Sequence, residues 1–176
     1  MNITGNKGEW SEIYIFLKLM HDRKIHAADG NMNRLNDVFL NIIKIIREEI
    51  RNHVYEYYTG DVVKIFYNQN DTHQAVPDID FKENAEKVFN LMLSSKGTFG
   101  CDDVEEFLAS IHITKLKAPA VSSSDFFGGT QDITMSVMDY RSGITSKIGF
   151  SCKSDFAARA TLFNDSPAKS PKIVFL

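Results

Sequence analysis

Asp132 and Lys153 stand at matching ends of two apolar runs, "DITMSVMDY" and "ITSKIGFSCK", that flank "RSG". Read as a hairpin, the two runs alternate side chains between faces. A two-residue turn at Ser142–Gly143 sets Asp132 opposite Lys153, Thr134 opposite Ser151 and Ser136 opposite Gly149. A four-residue turn, Tyr140 to Gly143, slides these pairs but keeps the faces, whereas a three-residue turn would bury polar residues among apolar ones. Ile133, Met135, Val137, Ile148, Phe150 and Cys152 then share an apolar face, and Asp132, Thr134, Ser151 and Lys153 gather on the other. A carboxylate there is a hard oxygen ligand for a divalent cation. Such an ion polarises a phosphodiester and acidifies a bound water, while an ammonium beside it orients that water or stabilises the pentavalent charge. The plainer reading is a solvated ion pair worth roughly 0–1 kcal/mol.

The elements that must position this hairpin follow from periodicity. "EWSEIYIFLKLM" carries Trp10, Ile13, Leu17 and Met20 as a helical stripe. "KIHAADG" reads as a short extended segment or turn. "NRLNDVFLNIIKIIREEIRNHVYEYY" places Leu35, Phe39, Ile42, Ile46, Ile50 and Val54 on one side and is expected as one long helix closed by Gly60, with "KIIREEIR" on its solvated face. "VVKIFY" suits a strand, "NQNDTHQAVPDID" a loop and "FKENAEKVFNLMLSS" a helix. "DDVEEFLASI" is a further helix, with Asp102 and Glu105 spaced as a capping box. "HITKLKA" is expected as a strand bearing Lys115 and Lys117, followed by a loop, "PAVSSSDFFGGT", and strands to the end. Helices early and strands late predict an α/β (α+β) domain.

Composition narrows the classes. A formal charge of −3 leaves no basic footprint, so bulk-charge binding of nucleic acid is not expected, although carboxylates around a metal would offset basic residues elsewhere. Cys101 and Cys152 form no C-x-x-C pair, and the five histidines lack ligand spacing, which argues against zinc. "FFGGT" precedes a strand rather than a helix and so is no phosphate loop. Ser122 to Ser124 have no paired histidine for a nucleophilic triad. Asp139 reads as a strand-end residue, and Asp155 as a weaker ligand. No signal peptide or apolar run long enough for a membrane is present, so a cytoplasmic setting without a membrane partner is expected.

"GNKGEWSEIYIFLKLM", "AADGNMNRLNDVFLNIIKIIREE", "DITMSVMD" followed by "GFSCKS", and "TLFNDS" occur in this order, and together they resemble the HpaII-type restriction endonucleases. These are type II enzymes assigned to the PD-(D/E)xK nuclease superfamily. The resemblance implies Mg²⁺-dependent cleavage of double-stranded DNA at a short palindrome (CCGG for the family's namesake), a homodimer, and a cognate DNA methyltransferase that protects the host. It implies a mixed sheet flanked by helices in a single domain, 1–176, helical to about 111 and carrying catalytic strands from about 112. Asp132 matches the metal-binding aspartate and Lys153 the catalytic lysine, while Ser151 stands where the superfamily usually has Glu or Asp. A further carboxylate is then expected from the first helix. Spacing after Gly8 favours Glu12, and the helical wheel favours Glu9, so both remain candidate metal ligands. Family members are longer, which implies that their C-terminal part is absent here. The alternative is a catalytically inactive fragment or DNA-binding module with the nuclease fold.

Overall fold

In the computed structural model, which describes residues 3–31, 33–118, 132–154 and 172–175, the longest periodic run is not a helix. It forms two antiparallel strands, Arg34–Ile50 and His53–Tyr58. Its density of isoleucine, valine and tyrosine suits a pleated surface, since β-branched and aromatic side chains lose χ1 freedom in a helix. The helical spacing has a separate cause. A register shift between Ile42 and Lys44 inserts Ile43 as an extra residue, so Ile42 and Ile45 both enter the core. A bulge thus turns a period of two into a step of three. Asn52, at φ 68, makes the turn between the strands, in a left-handed conformation that asparagine tolerates.

In chain order the elements are β1 (Thr4–Gly5), α1 (Lys7–Asp22), β2 (Lys24–Ala28), β3 (Arg34–Ile50), β4 (His53–Tyr58), β5 (Val62–Tyr67), β6 (His73–Pro77), α2 (Asp78–Ser94), β7 (Phe99–Gly100), α3 (Asp102–Ser110), β8 (Ile133–Asp139), β9 (Thr145–Ser154) and β10 (Lys172–Phe175). Among the described residues, eight strands form one sheet in the order β10-β9-β8-β3-β4-β5-β6, with β2 paired to β3 off that path. Every pairing in it is antiparallel except β10 with β9. The fold is α+β, a large sheet flanked by three helices. Trp10, Ile13, Phe16, Leu17 and Met20 of α1 share one core with Ile42, Ile45, Tyr57, Met135 and Val137 of the sheet and with Phe81, Val88 and Met92 of α2. Phe16 meets the Tyr57 ring edge-on at 5.0 Å, and the Tyr57 hydroxyl donates to Ile111 O at 2.8 Å, tying the end of α3 to the sheet.

Several expectations change. The strands β1 to β7 all precede residue 112, so the first two-thirds of the chain is not a helical region. The stretch expected as a loop contains β6 and the first turn of α2, where Asp78 and Asp80 complement the helix dipole. The helix α3 has no side-chain cap: its N-cap is Cys101, which leaves Asp102 inside the first turn, while Glu105 accepts the Ile3 N–H at 2.9 Å. The capping box forms instead at α1. There Glu9 N donates to Asn6 Oδ1 at 3.1 Å and Asn6 N to Glu9 Oε2 at 2.9 Å. No strand forms over 112–118.

The segment expected as that strand is held by side chains of β3. Arg47, Glu48 and Glu49, read from the sequence as a solvated face, are all buried. The Arg47 guanidinium pairs with Glu49 and donates to Lys115 O and Leu116 O. Glu49 Oε2 accepts from Thr114 N at 2.8 Å and Thr114 Oγ1 at 2.9 Å. Leu116 in turn packs on Gly5, where a Cβ would collide with Leu116 Cδ1. Removing one member of a buried pair strands the other charge. Arg47→Met should therefore cost about 3–5 kcal/mol in urea unfolding. Replacing both Arg47 and Glu49 by Met should recover part of that loss, and strict additivity of the two single losses would show that the pair is uncoupled.

Candidate active site

The hairpin body has the four-residue connection. Asp139 N donates to Ile144 O at 3.0 Å, Gly143 N donates to Asp139 O at 2.8 Å, and the pairs run from Met138↔Thr145 to Ile133↔Phe150. The pairing of Asp132 with Lys153, Thr134 with Ser151 and Ser136 with Gly149 is therefore replaced by Thr134↔Gly149 and Ser136↔Lys147, and Asp132 comes beside Phe150 instead of Lys153. Ile133, Met135, Val137 and Phe150 are buried, as the alternation requires. Asp139 ends β8, as expected, and its Oδ1 accepts from Arg141 N at 2.7 Å in the turn.

At its open end the hairpin departs from strict alternation. Asp132 N donates to Phe150 O at 3.0 Å, although Phe150 is already the partner of Ile133. Two residues opposite one is the geometry of a bulge, which re-aims a side chain. The Asp132 carboxylate is fixed in its new direction by Cys152 N, which donates to Oδ2 at 2.7 Å. Its charge acts on Glu12 of α1. The Glu12 carboxyl is pushed up from its ordinary 4.5 to about 7, first by burial and then by Asp132, with Glu9 adding a little. Lys117 and Arg47 oppose the rise. The Lys117 ammonium lies 3.9 Å from Glu12 Oε1, with the Glu12 side chain 14% exposed and that of Lys117 64%.

Of the candidate residues, Asp132 is thus near enough for its charge to act on Glu12. Glu9 sits one turn earlier, and its carboxylate serves the α1 cap. Ser151 lies half-buried on β9, and Lys153 occupies the same strand two positions on. The Lys153 side chain, Asp155, "FFGGT" and "TLFNDS" lie outside the described residues. Sequence reasoning missed Arg47 and undervalued Lys117. The signal for Arg47 was three consecutive charges at the end of an isoleucine-rich run, a pattern costly to bury unless paired. Cys101 and Cys152 are both free thiols.

Two carboxylates held close, one of them desolvated, form an oxygen donor set that fits a hard divalent cation. Among the described residues no three His, Cys, Asp or Glu side chains gather to hold an ion, so Glu12 and Asp132 are the donors available there. Without a cation the pair destabilises the fold. Between pH 4.5 and about 7 the folded chain keeps the Glu12 proton that the unfolded chain has lost, so stability falls as pH rises through this window. Glu12→Gln should therefore melt higher than wild type at pH 8.5, by up to about 3 kcal/mol. The two should converge at pH 4. Melting curves with the same difference at both pH values would contradict the assignment.

A family model described as HpaII restriction endonuclease matches residues 6–173. The chain is 33% identical over 168 residues to the type II restriction enzyme HpaII of Haemophilus parainfluenzae, an alignment covering 94% of this chain and 44% of that protein. It therefore spans less than half the length of the curated relative it matches. No solved structure matches. With a match across nearly its whole length, the chain belongs to the HpaII restriction endonuclease family.

Proposed function

We propose that this chain is the catalytic portion of a type II restriction endonuclease of the PD-(D/E)xK superfamily, which hydrolyses double-stranded DNA at a short CCGG-like palindrome. One observation supports this reading above the others: the Asp132 carboxylate, aimed by the Cys152 N–H, acts on the largely buried Glu12 carboxyl, which has the Lys117 ammonium 3.9 Å away. Glu12 and Asp132 would hold Mg²⁺, with Glu9 left to the cap. When bound, the ion supplies Lewis acidity toward the phosphodiester and lowers the pKa of water. The Asp132 carboxylate is aimed by the Cys152 N–H. Lys153, assigned from the family motif, positions the attacking water, and the hydroxyl of Ser151 hydrogen-bonds that water or a phosphate oxygen. The product ends are a 5′-phosphate and a 3′-hydroxyl. Among the described residues no helix is long and apolar enough to cross a membrane. A cytoplasmic homodimer working beside a protective methyltransferase completes the proposal, by analogy with the family.

Unmethylated duplexes carrying and lacking CCGG, incubated with wild type and with Lys153→Ala, in Mg²⁺ and in chelator, test the reading. Wild type with Mg²⁺ should cut only the matching duplex, and Lys153→Ala should be slower by about 10²–10³-fold, roughly 3–4 kcal/mol of transition-state stabilisation. Equal nicking in all tubes would refute it. Duplex binding without any cleavage would instead favour a catalytically inactive DNA-binding module of the same fold.

A further inference from the structure

The segment between α3 and the residues preceding β8 is built to deliver one side chain. Thr114 is fixed by Glu49, and the carbonyls of Lys115 and Leu116 are fixed by Arg47. Leu116 is buried against Gly5 just ahead of α1. The next residue, Lys117, emerges 3.9 Å from Glu12 with most of its side chain in solvent. An ordinary surface lysine has neither an anchored backbone nor a desolvated partner. Arg47 also acts on Glu12, but its guanidinium is committed to Glu49 and two carbonyls inside the protein. Lys117 has a long flexible stem and a rotatable ammonium, and so can leave Glu12 without breaking the fold.

We propose that Lys117 is an exchangeable cation of the site. It occupies the place beside Glu12 when no divalent ion is bound, and swings to a phosphate oxygen of the duplex once an ion takes over that carboxylate. Arg47 and Glu49 act through it as positioning residues. The inference rests on the nuclease reading and extends it to a residue outside the family motif. It predicts two opposite effects of one substitution. Without Lys117 the carboxylate pair meets no competing ammonium and holds a divalent ion more tightly. The duplex, in contrast, loses a charge contact.

Calorimetry with Ca²⁺ alone and duplex binding in Ca²⁺ over a salt series, both at pH 8.5, test this on wild type, Lys117→Ala and Lys117→Arg. Lys117→Ala should bind Ca²⁺ about two- to fivefold more tightly, the size of a partly exposed ion pair. Its log–log salt slope for duplex binding should be shallower by about one. Lys117→Arg should restore the slope. A passive surface lysine would change neither quantity, and an unchanged Ca²⁺ affinity or an unchanged slope overturns the inference. Wild type that binds both Ca²⁺ and duplex, with Lys117→Ala matching it in either measurement, sinks this inference alone. Wild type that binds neither sinks the nuclease reading and this inference with it.

Discussion

The candidate site turns on burying one carboxyl, Glu12, where the charge of a second, Asp132, acts on it. Glu12 and Asp132 come from elements 120 positions apart in the chain, and each is held by something that does not depend on the other. Glu12 is carried by α1, whose Trp10, Ile13, Phe16 and Leu17 are buried against the sheet and α2. Asp132 is fastened by its own N–H to Phe150 and by the Cys152 N–H to its carboxylate. Apolar burial on this scale contributes far more than the repulsion removes, so the fold can sustain an arrangement that would relax in a looser protein. That repulsion is relieved by a proton on Glu12 at low pH or by a cation beside it.

The sequence was most legible where one physical signal acted alone. The stripe in α1, the alternation of β5, the periodicity of α2 and the apolar face of the β8–β9 hairpin all lie where their patterns place them. It was least legible in β3, where two signals conflicted. Ile42 and Ile45 carry a helix-like step because a bulge at Ile43 resets the alternation, and no local residue announces that bulge. The β-branched density was the better guide, because it reports what each side chain tolerates and not how neighbours are spaced. The same misreading hid the buried charges, since Arg47, Glu48 and Glu49 look solvated on a helix and are buried on the strand, where Arg47 and Glu49 bond the 114–116 segment.

The choice between Glu9 and Glu12 shows how a motif can outrank a helical wheel. The wheel favoured Glu9 because it adjoins Trp10 and Ile13 on the buried stripe. Yet Asn6 and Glu9 stand three apart before an apolar run, the spacing of a reciprocal cap, and the structure uses them so. A glutamate that closes a cap has its carboxylate directed back along the chain and is a poor ligand for anything ahead of it. Glu12, one turn further, is left to face Asp132. Gly5 and Gly8 fit the same account only in part. Gly5 admits Leu116, whereas a Cβ at Gly8 would meet only Asn6 Oδ1, at 3.2 Å.

The net charge of −3 now has a local explanation. Part of the acidity lies inside: Glu49 on Arg47 and Thr114, Glu105 on the Ile3 N–H, and Glu12 near Lys117. Formal charge counted along the chain therefore understates how positive the surface near Glu12 becomes once an ion sits there. A duplex approaching that region would meet the bound ion and Lys117, not the buried carboxylates. Overall acidity and a polyanionic substrate are compatible when the acids are enclosed and the cations are recruited, because within a screening length of about 8 Å it is the nearest charges that a phosphate feels.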